Sequence, residues 1–128
     1  MSSIDIAFDG FLGQDPVLRF TAAGAAVAEL RVAVNRRTMR DGAWVDAPTT
    51  WLTVAVFGQL ASNVADSLHR GDPVSVRGEL VSDEWTPAGG GEPRVALKVL
   101  AAEVGVPLSS HVVARLHRSR RDGPDPGK

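Results

Sequence analysis

The sequence predicts an all-β barrel of five strands, with one helix between the third and fourth. Three observations carry this expectation. Apolar and polar residues alternate over several short segments, only one segment has a helical period, and Gly- or Pro-containing turns separate them. At 128 residues, with 44% hydrophobic and 23% charged side chains, the chain is the size of one domain and can bury a core.

In the first strand Ile4, Ile6 and Phe8 alternate with Asp5, Ala7 and Asp9; Gly10 and Gly13 then bracket a bend, and Asp15-Pro16 marks a turn. The second strand carries Ala28, Leu30, Val32 and Val34 on one face. It leads to a hairpin tip at Arg40-Asp41-Gly42, because Asp-Gly supplies the positive φ of a tight turn. The third strand, Thr49 to Phe57, sets Leu52, Val54 and Val56 on a core-like face and Trp51, Thr53, Ala55 and Phe57 on the other. Large rings on an outer face need a reason.

The helix is expected from about Gln59 to His69, since Leu60, Val64 and Leu68 recur every four residues. Gly71 stands where a C-terminal glycine cap is expected, and Pro73 discourages continuation. Val74, Val76 and Leu80 open a fourth strand that runs to Trp85, a loop tip spans Pro87 to Gly91, and a fifth strand runs from about Arg94 into the Ala101–Val106 region. This is the element order of an OB-fold, whose barrel face and loops commonly hold oligonucleotides. The domain is set at residues 1–108, and residues 109–128 are expected to form a basic, flexible C-terminal tail.

Charge is divided between these parts. Residues 1–108 hold nine Lys and Arg against thirteen Asp and Glu, a net of −4; residues 109–128 hold five against two, a net of +3. An acidic body argues against indiscriminate phosphate binding, so any nucleic-acid face must concentrate its arginines or rely on stacking. There are no cysteines, and Met1 to Ile4 runs straight into Asp5 with no long apolar stretch behind it. No disulfide, secretion signal or membrane span is therefore expected, which suits a cytoplasmic protein.

Catalysis finds little support. His69, His111 and His117 have no metal-ligand spacing, and His69 reads as a partner of the helix C-terminus. Gly89-Gly90-Gly91 lacks the lysine and following helix of a phosphate-binding loop. No enzyme activity, metal or cofactor is expected. Trp51, Phe57 and Trp85 are candidates for stacking on bases, each with a core or subunit-interface alternative. Arg31, Arg36, Arg37 and Arg40 form either a phosphate-tracking patch or a solvated hairpin tip.

Several segments in register resemble the bacterial single-stranded DNA-binding protein family. Gly10-Phe11-Leu12-Gly13-Gln14-Asp15-Pro16, followed by Arg19-Phe20, is similar to that family's Gly-Asn-Leu-Gly-x-Asp-Pro stretch. Gly24, Ala26-Val27-Ala28 and Val32-Ala33-Val34-Asn35-Arg36-Arg37 continue the match. Trp51, Val56-Phe57-Gly58-Gln59-Leu60-Ala61, Arg70-Gly71-Asp72-Pro73-Val74 and Gly78-Glu79-Leu80 through Trp85 complete it, over about residues 4–106. The resemblance implies an OB-fold that assembles as a homotetramer, binds single-stranded DNA in replication, repair and recombination, and resides in the cytoplasm at the nucleoid. It aligns Trp51, Phe57 and Trp85 with the family's stacking aromatics, while Thr38 and Met39 stand where a further aromatic would be. Arg36 and Arg37 are phosphate-contact candidates from the motif; Arg19, Arg31, Arg77 and Lys98 are candidates from expected outward positions.

The departures weaken that picture in stated places. Leu52-Thr53 replaces a His-Arg pair after the tryptophan, and Val81-Ser82-Asp83-Glu84 replaces a basic run before Trp85. Each lost cation removes a possible phosphate contact, so weaker affinity and a shallower salt slope are expected. The last residues, Arg120 to Lys128, lack the acidic, hydrophobic-tipped tail of major family members, so a short paralogue is expected. The acidic body also keeps open a second reading: an OB-fold protein-interaction subunit, paired with a paralogous DNA-binding protein and binding DNA weakly itself.

Overall fold

The computed structural model describes residues 1–114 and contains eight strands and one helix. They are β1 (Asp5–Leu12), β2 (Val17–Phe20), β3 (Ala26–Val34), β4 (Arg37–Arg40), β5 (Ala43–Asp46), β6 (Thr50–Phe57), α1 (Gly58–Ser67), β7 (Pro73–Trp85) and β8 (Arg94–Gly105). The main sheet has the order β1-β7-β8-β6-β3-β2, and β1 also pairs with β3. That last pairing closes five strands into an OB-fold barrel, with α1 between the third and fourth strands of the ring.

Alternation decides what lies inside. Leu30, Val32, Val54, Val56, Val74 and Val99 are fully buried, and Ala61, Val64 and Leu68 of the helix stripe and its cap close one end of the core. Gly10 lies within β1 rather than at a bend after it. A Cβ there would come 2.5 Å from the Ala33 carbonyl oxygen, so glycine is what lets β1 cross from β7 to β3. Gly78 has the same role opposite β8. Its Cβ would meet the Leu100 carbonyl oxygen, at the bulge that leaves Ala102 without a partner between Ala101 and Glu103.

Three local expectations change. β2 is an added strand on the edge of β3, and all four of its residues are exposed, so no burial pattern announces it. The helix ends at Ser67 and Leu68 is its cap, which puts His69 in the following turn, where its N–H donates to Asp72 Oδ2 at 2.8 Å. Gly71 is therefore not the helix cap. Its φ is +90° and its N–H donates to the Leu12 carbonyl, tying the helix exit to β1. The Asp41-Gly42 hairpin tip has φ of 51° and 81°, the geometry expected of a tight turn between β4 and β5. The expected tail is described only as far as residue 114, and its remainder lies outside the described residues.

Candidate nucleic-acid interface

The strand register assembles one outward face from four strands. Paired residues share a face, so Val27, Glu29, Arg31 and Ala33 of β3 stand beside Phe57, Ala55, Thr53 and Trp51 of β6. β8 contributes Ala96 and Lys98, and β7 contributes Val81, Asp83 and Trp85. A shallow groove runs across this face and is lined by Glu29, Thr53, Asp83, Trp85, Ala96, Leu97 and Lys98.

Trp51, Phe57 and Trp85 are all open to solvent on this side, at 45%, 52% and 43% of full exposure. Trp51 and Phe57 lie six residues apart on β6, about 20 Å along the strand, with the groove and Trp85 to one side. The Trp51 ring is held in place. The Arg31 guanidinium lies 5.5 Å from its centroid, and one Arg31 nitrogen donates to Thr53 Oγ1 at 2.9 Å. Gly13 leaves room beneath it, since a Cβ there would come 2.5 Å from a ring carbon.

The candidate cations divide into three kinds. Arg31 contacts Trp51 and Thr53 and keeps further guanidinium N–H donors beyond the one that Thr53 accepts. Arg19, Arg37 and Lys98 each face a carboxylate: Glu29 at 3.8 Å, Asp46 at 3.8 Å and Asp83 at 3.4 Å. The first two pairs are exposed and the third is partly buried at Lys98. All are long contacts of small net energy, so a phosphate can compete for each cation, but only against a neighbouring negative charge. Arg36 and Arg77 make no ion pair among the described residues. Arg36 lies between β3 and β4, near the Trp51 end of the ladder, where Val34 pairs with Thr50. Arg77 is not brought to the aromatic face. It pairs with Ala7 and Glu103 on the β1–β7–β8 wall, whose other outward residues include Asp5, Asp9 and Glu79, and it stands eight residues, about 26 Å, from Trp85.

Three exposed aromatic side chains were left without a role by the strand pattern: Trp44, Phe11 and, on β2, Phe20, which is 66% exposed. Trp44 pairs with Met39 across the β4–β5 hairpin, and both are more than half exposed. A four-residue strand is too short for alternation to mark it. Phe11, on β1, is 43% exposed.

The barrel and its face together define an OB-fold binding module. Residues 5–107 match the model of the single-strand binding protein family, and the chain belongs to that family. It is a family of binding proteins, not of enzymes. The chain is 42% identical over 103 residues to the single-stranded DNA-binding protein 2 of Streptomyces coelicolor, covering 79% of this chain and 51% of that one. It is 39% identical over 121 residues to the single-stranded DNA-binding protein of Corynebacterium glutamicum, covering 93% and 53%. The chain thus spans about half the length of these two relatives. The crystal structure of the small single-stranded DNA-binding protein from Streptomyces coelicolor superimposes with a TM-score of 0.71 at 32% identity, covering 87% of this chain and all of that one. No helix among the described residues is long and apolar enough to cross a membrane.

Proposed function

We propose that residues 1–108 form a domain that binds single-stranded DNA with little regard to sequence. Trp51, Phe57 and Trp85 stack on bases, and Arg19, Arg31, Arg36, Arg37 and Lys98 meet phosphates. The observation that carries this reading is on β6, where Val54 and Val56 are fully buried while Trp51 and Phe57 stand exposed on the opposite side. A strand that buries valines and exposes rings has the amphipathic pattern of a stacking platform. Each stacked base is worth roughly 1–3 kcal/mol, whatever its identity. Arg77, on the acidic wall, contributes least.

The family and the names of its relatives support the same ligand, and the chain is expected to work in the cytoplasm at the nucleoid. Assembly as a homotetramer would bring several such faces onto one strand and raise apparent affinity through effective concentration. Titration of labelled oligo-dT with the full chain tests the ligand. Trp51→Ala is expected to weaken binding roughly fivefold to a hundredfold, and an unchanged affinity would remove Trp51 from the platform. Sedimentation tests the assembly, and a monomer at micromolar concentration would contradict the tetramer.

A second reading has one specific observation in its favour: Arg19, Arg37 and Lys98 already have carboxylate partners. On that reading the module pairs with a paralogous DNA-binding protein. It predicts a stable hetero-oligomer and no oligo-dT binding by the pure chain.

A further inference from the structure

Phe11 stands in register with the stacking platform. β1 pairs with β3 through Phe11 and Ala33, and β3 pairs with β6 through Ala33 and Trp51. The three residues therefore form one row on the outside of the barrel, two strand spacings or about 10 Å from end to end. Its outer members are aromatic and close to half exposed, and only the methyl group of Ala33 stands between them. Gly13, two residues beyond Phe11, keeps that edge of the row low enough for the Trp51 ring to lie over it.

The Phe11 ring is also oriented. His111 meets it edge-on, with centroids 6.2 Å apart and planes at 73°, the favoured T-shaped geometry. Ser110 Oγ lies 2.8 Å from His111 Nδ1 and steadies the imidazole in turn. An exposed phenylalanine on an outward strand position gains nothing from solvent. Here it continues a face that already presents a tryptophan under an arginine.

We propose that Phe11 is a further base-stacking residue, taking a nucleobase next to the one on Trp51, with His111 as the residue that positions its ring. This inference rests on the single-stranded DNA reading above. Stacking on Phe11 requires only a π-face, so the added contact is sequence-tolerant and extends the platform from β6 across β3 to β1.

The test is a titration of fluorescein-labelled oligo-dT at low salt with the full chain and with Phe11→Ala, Phe11→Leu and Phe11→Tyr, together with the sedimentation mass of each. Alanine and leucine are expected to weaken binding roughly fivefold to a hundredfold, tyrosine to stay within about twofold, and the mass to stay constant. Leucine keeps the apolar bulk, so its loss isolates the π-face. His111→Ala is expected to weaken binding less than Phe11→Ala, and His111→Phe to restore it. If Trp51→Ala weakens binding but every Phe11 variant binds like the parent, this inference is wrong and the platform on β6 stands. If the parent does not bind oligo-dT, both fall together. A change of mass in Phe11→Ala would make Phe11 a subunit contact and overturn its stacking role.

Discussion

Glu29→Gln is expected to strengthen DNA binding and to steepen its salt dependence. Glu29 lines the groove beside Thr53, Trp85 and Lys98, and its carboxylate lies 3.8 Å from the Arg19 guanidinium. A phosphate in that groove about 7 Å from the carboxylate is repelled by ~0.6 kcal/mol in a water-like dielectric, and by ~1.2 kcal/mol where the effective value is half as large. Salt at 0.15 M, with a Debye length of about 8 Å, removes more than half of this. The gain in affinity is therefore modest, about threefold to eightfold without screening and about twofold at 0.15 M salt. The slope is the sharper readout. Freeing Arg19 for one more phosphate adds about 0.7 to the magnitude of the slope of log K against log salt. Asp83→Asn does the same for Lys98, and the double variant should add about twice as much. Oligo-dT titrations at four salt concentrations measure this directly. Losing one exposed ion pair costs the fold about 1 kcal/mol at most, so the comparison is made between folded proteins. Slopes that match the parent in both single variants and in the double would mean that these carboxylates lie off the path of the strand.

Two glycines give further tests. Gly78→Ala places a methyl group against the Leu100 carbonyl oxygen, a backbone atom that cannot swing aside. It is expected to lower stability by about 2–3 kcal/mol in urea unfolding, and a loss well under 1 kcal/mol would contradict the close approach. Gly13→Ala is expected to displace the Trp51 ring, altering tryptophan emission and removing part of the roughly 1–3 kcal/mol of one stacked base while leaving stability nearly unchanged. Unaltered emission with parental affinity would show that the ring does not depend on that space.

The core and the exposed aromatic pair were legible because β3 keeps the two-residue period and β6 keeps it at its valines and rings, broken by Ala55, which is buried although it shares the outward side. Leu30, Val32, Val54 and Val56 are fully buried, as their alternation requires, and Trp51 and Phe57 follow on the opposite side. The Asp41-Gly42 turn was legible because few residues tolerate positive φ. What pattern could not give was pairing. β2 is held to β3 by backbone hydrogen bonds with no buried side chain, so its sequence carries no periodic mark. Gly10 reads as a turn residue until β3 is known to pass against it. Arg77 sits on an outward position like Lys98, yet barrel closure sends one to an acidic wall and the other to the groove. The carboxylate partners of Arg19 and Lys98 come from neighbouring strands, and only register brings them within reach.

The most direct measurement is the intrinsic tryptophan fluorescence of the full chain during titration with oligo-dT at low and at moderate salt. If the rings of the β6–β7 face stack on bases, quenching is strong, saturates, weakens as salt rises, and shrinks in Trp51→Ala. No quenching at low salt would contradict the proposal that this face binds single-stranded DNA and would turn the search to a protein partner.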